Sequence, residues 1–373
     1  MSFIKSFQGY KNFLKSKNKN KKSVYIYSES SSYRNHFEDI IINLSNLKKY
    51  DVCYFTSNLL DNKSFTPDVK PIYIGSGIIR MIFFTFLKCD IMLMTLTDLD
   101  NHEIKKSKNC KNYLYLFHSL CSTFKSYTKN AFDNYDIILA NGSHQVEEIR
   151  KNEKLFNLKR KEIFNIGYPY LENLKKKIHI ENKNDTVLFA PSWSNNKNDL
   201  LENYGIEIIE ILLKDFKVFF RPHPQSFIKS KKTIEKIKQK FQNNKNFTLN
   251  KDTTDLKSFD KSGILLTDNG GICIEYYTLY EKPFICIDYK EKIHNADYHL
   301  IAETSIEEEF KNTFSVKLNI SSLKNLESNI KTILNNFKFD RNKLENFFKS
   351  YSIEFNGSAK KASDKIEEIL SQN

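Results

Sequence analysis

The chain has 373 residues, 40% of them hydrophobic and 14% aromatic, more than one ordinary compact domain needs and enough for two cores. Its net charge of +13 suits a polyanionic substrate or an anionic membrane face, while no zinc-finger spacing, RNA-recognition signature or Arg-rich recognition helix marks a nucleic-acid binder. The six cysteines (Cys53, Cys89, Cys110, Cys121, Cys273 and Cys286) form no C-x-x-C pair and sit in or beside apolar runs, as expected of reduced thiols in a cytosolic protein without a structural metal.

Residues 1–22 carry seven lysines and no acid, and Phe3, Phe7, Tyr10 and Leu14 share one face if the segment is helical. Two readings stay open: a helix packed on the surface, or an interfacial helix drawn to anionic lipid. No unbroken apolar stretch follows, so a signal peptide is not expected. From Ser23 the pattern alternates strand and helix. Strands are expected at Val24–Tyr27, Tyr50–Thr56, Pro71–Ile74, Ile91–Thr95, Tyr113–Phe117, Ile137–Ala140 and Phe164–Ile166. Helices are expected after Arg34, at Ile78–Leu87 and from Ser143. The longest apolar segment, Gly77–Leu96, is interrupted by Arg80, Lys88 and Asp90. A transmembrane span needs about 20 nearly uninterrupted apolar residues, so this segment reads as buried core and the protein as soluble or peripheral.

The charged stretch Lys175–Asp185 is the best linker, after which the pattern restarts. Strands are expected at Thr186–Ala190, Lys217–Phe220, Gly263–Leu266 and Phe284–Ile287. Helices are expected at Tyr204–Leu213, Ser230–Asn243, Gly271–Tyr280, Ser321–Phe337 and Arg341–Gln372, the last broken near Gly357. This alternation implies parallel sheets covered on both faces. The fold class is α/β, with two doubly wound Rossmann-like domains facing across a cleft. The first covers 1–178 and the second 183–340, and for the helices at 341–373 a crossing back to the first domain is one reading.

In such folds ligands bind at the carboxyl ends of strands, and three polar loops stand there. His118 directly follows the Tyr113–Phe117 strand. It is either a structural histidine or a neutral imidazole able to take a proton from an acceptor hydroxyl. Arg221 and His223 sit in Arg-Pro-His-Pro, a stiff segment that ends its strand. Arg221 offers a planar fork suited to phosphate oxygens, or else a buried tie to a carboxylate. The third loop is Asp268-Asn269-Gly270-Gly271 before a helix start. Bare amides and the helix dipole there favour a phosphate, although a simple tight turn would look the same. Glu275, one turn further, could accept from a ribose diol or cap the helix. Ser192, Trp193 and Tyr168 end neighbouring strands. No Asp-x-Asp metal signature appears, and neither a metal nor another cofactor is expected.

The runs YLFHSLCSTFKSY, AFDNYDIILANGSHQVEEIR, IGYPYLENL, VLFAPSW, FFRPHP, LLTDNGGICIEYYTLYEKPFICID and KEKIHNADY occur in order through most of the chain. In this series the chain resembles the CDP-glycerol glycerophosphotransferases of teichoic-acid and capsule polymer synthesis, within the GT-B superfamily. The resemblance implies His118 as the base, with Arg221 and His223 on the pyrophosphate side. It implies Asp268, Gly270, Gly271 and Glu275 at the nucleotide-binding loop and helix, where the Asn269 amide and Ser192 are also expected at the phosphates. One departure stands out: members commonly carry serines in the Asp268 loop, whereas this chain has Asn-Gly-Gly. The partners implied are a CDP-polyol donor and a polymer or lipid-linked acceptor, at the inner face of the cytoplasmic membrane. A sugar transferase with the same fold is the alternative.

Overall fold

Short, nearly continuous apolar runs bury both faces of a strand, and two parallel sheets result. The computed structural model describes residues 2–101, 104–181, 183–194, 199–252, 254–290 and 293–372. The Phe3 side chain, and Glu291 and Lys292 of the run beginning at Lys290, lie outside the described residues. The first sheet contains β1 (Ser23–Ser28), β2 (Asp51–Thr56), β3 (Pro71–Tyr73), β4 (Cys89–Met94), β5 (Cys110–Leu116), β6 (Ile137–Ala140) and β7 (Glu162–Asn165), in the order β3-β2-β1-β4-β5-β6-β7. The second contains β8 (Thr186–Phe189), β9 (Lys217–Phe220), β10 (Phe247–Leu249), β11 (Ile264–Thr267), β12 (Phe284–Asp288) and β13 (Val316–Asn319), in the order β10-β9-β8-β11-β12-β13. Every neighbouring pair is parallel. Each order is doubly wound, so each sheet has a switch point: between β1 and β4 in the first, between β8 and β11 in the second.

The edge strands β10 and β13 and the Ile306–Phe314 helix have no counterpart in the sequence reading. β10 is three residues long and β13 exposes all but Leu318, so neither carries an apolar run. The last helical stretch is two helices, Arg341–Ser350 and Ser358–Gln372, with Gly357 between them at φ 75°.

The chain divides into two compact units, each holding one sheet. The first comprises residues 1–176, 294–301 and 348–373, the second 177–293 and 302–347. The division is therefore interleaved, with residues 294–301 and 348–373 belonging to the first unit. Residues 294–301 are tied into the first unit by several contacts. His294 N donates to Lys125 O at 2.9 Å, Lys129 pairs with Asp297 at 2.8 Å, and Tyr298 stacks on Phe124. The Ser358–Gln372 helix lays Ala359, Ala362, Ile366 and Ile369 on the face of the first sheet built by Val24, Ile26, Leu93 and Leu114. At the entry to that helix the chain crosses Gly167, where φ is +81° and a Cβ would stand 2.3 Å from Glu354 O. Only glycine fits there.

The opposite face of the first sheet is aromatic: Tyr25, Tyr27, Phe55, Phe84 and Tyr115 are all buried. The Ser2–Ser16 helix closes it by packing against β3. It approaches so closely that a Cβ on Gly9 would lie 2.1 Å from Tyr73 O, and it inserts Phe13 edge-on against Phe55 at 5.1 Å and Tyr25 at 5.4 Å. Among the described residues, no helix is long and apolar enough to cross a membrane.

Two outcomes follow from this packing. Phe13→Ala removes the ring that anchors the first helix and is expected to cost about 3 kcal/mol in urea unfolding. The second concerns His144, whose Nε2 donates to Leu120 O at 2.9 Å while its ring is buried against Tyr351. Burial lowers its pKa to about 4, partly opposed by the Leu120 bond. The unfolded chain takes the proton below about pH 6.5 and the folded one does not. Stability therefore falls as pH drops from about 6.5 toward 4, by up to about 1.4 kcal/mol per unit from this group. His144→Gln should flatten that slope in urea midpoints measured across the same range.

Candidate active site

In the first unit, β5 runs out at Leu116 and delivers Phe117-His118-Ser119-Leu120-Cys121 across the carboxyl edge of the sheet. A loop here leaves backbone carbonyls to be satisfied, and each must find a donor. Side chains supply them all. Asn141 Nδ2 donates to Phe117 O at 3.3 Å and Ser119 O at 3.0 Å. Gln145 Nε2 donates to Ser119 O at 2.9 Å and Cys121 O at 3.2 Å, while its Oε1 accepts from Asn141 N. His144 takes Leu120 O, and the Tyr168 hydroxyl takes His118 O at 3.2 Å. Asn141, His144 and Gln145 come from the β6 turn and the helix after it, and Tyr168 from the turn after β7. Two neighbouring strand ends thus hold the loop in place.

His118 itself is half-buried. Its Nδ1 lies 3.4 Å from the Tyr115 hydroxyl, and its ring is 5.0 Å from that of Tyr33 and 6.2 Å from that of His36. His36 is buried and stacked on Tyr170 at 4.1 Å between ring centres. Burial, and then the facing His118, hold its pKa well below the ordinary histidine value, so it is neutral. Sequence reasoning missed His36, Tyr33 and Tyr170. The available signal was position: His36 opens the helix after β1, the strand at the switch point.

In the second unit the loops after β8 and β11 meet at the switch point. Thr267 Oγ1 donates to Ala190 O at 2.8 Å and Ser192 N donates to Asp268 Oδ1 at 2.7 Å. Asp268 is buried, which raises its pKa, and the Ser192 bonds oppose the rise. Its carboxylate braces the neighbouring loop. Asn269 Nδ2 donates to Lys290 O at 2.6 Å and Tyr289 O at 3.3 Å, and its Oδ1 accepts from Lys311 Nζ at 3.4 Å. Gly270 is not forced by packing. A Cβ there would meet Ser192 Cβ at 3.6 Å, an ordinary contact. Gly271 precedes the Ile272–Tyr280 helix, and Glu275 lies half-buried in its first turn.

The Arg221 fork, expected at phosphate oxygens, gives its Nη1 to backbone carbonyls. The residue is buried. Its Nη1 donates to Asp255 O at 2.8 Å and Asp252 O at 3.4 Å, and the guanidinium lies over the Phe259 ring. The loop after β10 leaves carbonyls that need a donor, and Arg221 supplies it. Through Nη1 the side chain ties the loop after β10 to the end of β9. His223 is half-buried, with Nδ1 accepting from Gln225 N at 3.1 Å and its ring 5.8 Å from Trp193. An accepting Nδ1 places the proton of the neutral ring on Nε2.

Lys311 was missed because its helix was missed. It is buried beside the Asp268–Asn269 loop. Burial works against its charge, but Cys286, Cys273, Glu307 and Asp268 outweigh that and leave its pKa raised, so the ammonium is charged. The loop therefore combines a buried cation, an oriented amide and a helix start. Among the described residues no cluster of three or more His, Cys, Asp or Glu side chains is placed to hold a metal ion.

No curated protein matches the chain. Among solved structures it is similar to a variant of the wall teichoic acid polymerase TagF, at 14% identity and a TM-score of 0.59, covering 100% of this chain and 98% of that one. It is also similar to MnaA of S. aureus solved with UDP, at 12% identity and a TM-score of 0.60, covering 94% and 97%. A third is the UDP-GlcNAc 2-epimerase of Neisseria meningitidis bound to UDP-GlcNAc, at 15% identity and a TM-score of 0.57, covering 94% and 100%. Such likeness carries the fold, which is GT-B-like. The profile of the CDP-glycerol:poly(glycerophosphate) glycerophosphotransferases matches residues 10–297, a span that includes His118, the Arg221–His223 segment and the Asp268–Gly271 loop. The chain belongs to that family of transferases.

Proposed function

We propose that the protein moves a polyol phosphate, glycerol phosphate or a close analogue, from a CDP-activated donor to a hydroxyl of a cell-surface polymer or lipid-linked acceptor, releasing CMP. The observation that carries the reading is the family match through both histidines and the Asp268 loop. The acceptor oxygen attacks the β-phosphorus of the donor. A new phosphorus–oxygen bond forms there, and the bond to the bridging oxygen breaks with its electron pair on CMP. His118 takes the acceptor's proton, as a neutral imidazole can near physiological pH.

The second unit holds the diphosphate in this reading. The amides of Asn269, Gly270 and Gly271 and the start of the Ile272–Tyr280 helix supply backbone donors. Lys311 supplies the fixed charge expected earlier of Arg221, while Arg221 keeps the adjoining loop in place. His223 presents Nε2–H to a phosphate oxygen. Glu275 takes the ribose, and Ser192 borders the phosphates. Preorganised donors of this kind typically contribute about 3–4 kcal/mol each to the transition state. The absence of serines in the loop leaves Gly270 as the point of closest approach, consistent with its not being required by internal packing.

With a panel of CDP-polyols and nucleotide sugars, the expected product is CMP together with a polyol phosphate on the acceptor. Release of a nucleoside diphosphate would instead indicate sugar transfer. His118→Ala and His223→Ala should keep the wild-type melting temperature and lose roughly 10²–10⁴ in rate. Activity within a few-fold of wild type in both would end this assignment.

Gly270→Ala and Lys311→Met separate binding from folding. Gly270→Ala should melt as wild type yet raise KM for the donor by about tenfold, because the methyl meets the ligand and not the protein. Lys311→Met should weaken donor binding by about ten- to a hundredfold, the range of one lost charge-assisted bond. Isothermal titration with the donor and with CMP reads both.

A further inference from the structure

Where β8, β9 and β10 begin, the second unit carries a cavity of about 120 Å³. It stands at the amino edge of the sheet, opposite the edge that carries the Asp268 loop, and none of the residues given a role above lines it. Its walls hold Lys183, Lys217, Lys245 and Lys261 and, among the described residues, no acid. Topology gathers the four. Lys217 opens β9, Lys183 and Lys245 lie in the turns that lead into β8 and β10, and Lys261 ends the short helix before β11. A parallel sheet brings all these entries to one edge.

Their partners are few. Lys183 pairs with Glu181 at 2.8 Å and Lys217 with Asp185 at 2.6 Å, both at exposed positions where an ion pair holds little energy. Glu181 attracts Lys261 only more weakly, and neither Lys245 nor Lys261 forms an ion pair among the described residues. The Asn246 amide and the Thr248 hydroxyl also line the cavity, and their side chains make no hydrogen bond among the described residues. Four cations with two carboxylates at the rim, an idle amide and an idle hydroxyl are the donor set of an anion site. The Lys231–Phe241 helix, whose chain leads through residues 242–246 to this edge, widens the positive field with exposed Lys231, Lys232, Lys236 and Lys240 against Glu235, its one acid.

We propose that this edge of the second unit holds a phosphodiester polymer, the chain whose growth is assigned above, at a site separate from the one that transfers the polyol phosphate. The choice of polymer rests on that reading. A lone phosphate would occupy the cavity and leave the helix lysines unused. A nucleic acid asks for faces on which its bases stack, and Phe219, the one aromatic among the described residues of the cavity, is half-buried in the sheet. A polyol phosphate chain has no bases and needs only cations for its repeating phosphates. β8 is four residues long, about 13 Å of strand between the two edges, so a chain several repeats long engages both and stays bound between transfers.

The test is titration of the full chain with a glycerol phosphate oligomer, with inorganic phosphate and with a single-stranded oligonucleotide of equal charge. The oligomer is expected to bind most tightly, with an affinity that falls steeply between about 50 and 200 mM salt. A Lys245→Gln/Lys261→Gln protein should bind it at least about tenfold more weakly. The same variant should keep the wild-type melting temperature, donor affinity and rate on a single-repeat acceptor, and its polymer should be shorter. Thr248→Glu sets a carboxylate at an exposed strand position in the cavity and should act the same way, which decides the matter if the lysine variant folds poorly. Unchanged oligomer binding in both variants overturns the proposal. So does equal binding of the oligonucleotide, or binding of inorganic phosphate alone. A wild-type protein that binds the oligomer through these lysines but lengthens no acceptor would refute the reaction assigned above and leave the site standing.

Discussion

Five successive carbonyls, from Phe117 to Cys121, are each held by a side chain, and the role proposed for His118 depends on that arrangement. A loop without such donors would pair its carbonyls with water and fluctuate, and the imidazole at its centre would have no fixed position. Here Asn141, His144, Gln145 and Tyr168 convert the end of β5 into a rigid shelf. Gln145 Oε1 accepts from Asn141 N in the same network, while Asn141 Oδ1 and His144 Nδ1 are buried without a partner among the described residues, a cost the shelf carries. His144 donates to Leu120 whether neutral or charged, but burial opposes its protonation and makes the shelf sensitive to acid. Position is thus set before any ligand arrives, which is what the base proposed above needs to act on a hydroxyl.

The second unit applies the same logic with different residues. Arg221 and Asp268, the charged residues most conspicuous in the sequence, are directed into the protein. Arg221 serves the carbonyls of Asp252 and Asp255, and Asp268 the amide of Ser192. What they leave exposed to chemistry is backbone: the Asn269–Gly271 turn and the helix start after it. The charge beneath that turn is Lys311, brought in by a helix forty residues further along. A buried ammonium whose neighbours keep it protonated is a stable source of positive potential, and burial strengthens its field on anything that approaches the turn.

Much of the architecture was legible because strands buried on both faces read as continuous apolar runs. Tyr113–Phe117, Lys217–Phe220 and Gly263–Leu266 were found that way, and the polar loops that follow them located His118, His223 and Asp268. The edge strands β10 and β13 were not, since an edge needs no continuous apolar run and Val316-Lys317-Leu318-Asn319 alternates weakly. The same gap concealed Lys311. The role of Arg221 was ambiguous for a different reason: a fork that suits phosphate suits carbonyl oxygens equally, and only the position of the loop after β10 decides between them. Nor could composition show that residues 294–301 pack with the first unit, because the contacts made by Tyr298 and Asp297 are with Phe124 and Lys129, far away in sequence.

The most direct measurement uses CDP-glycerol labelled at the β-phosphate in a single turnover. The account predicts that the label moves to the acceptor and that unlabelled CMP is released. It further predicts that His118→Ala protein binds the donor with wild-type affinity yet leaves the label on the nucleotide. Label retained on a nucleoside diphosphate by the wild type, or full transfer by the His118→Ala protein, would contradict it.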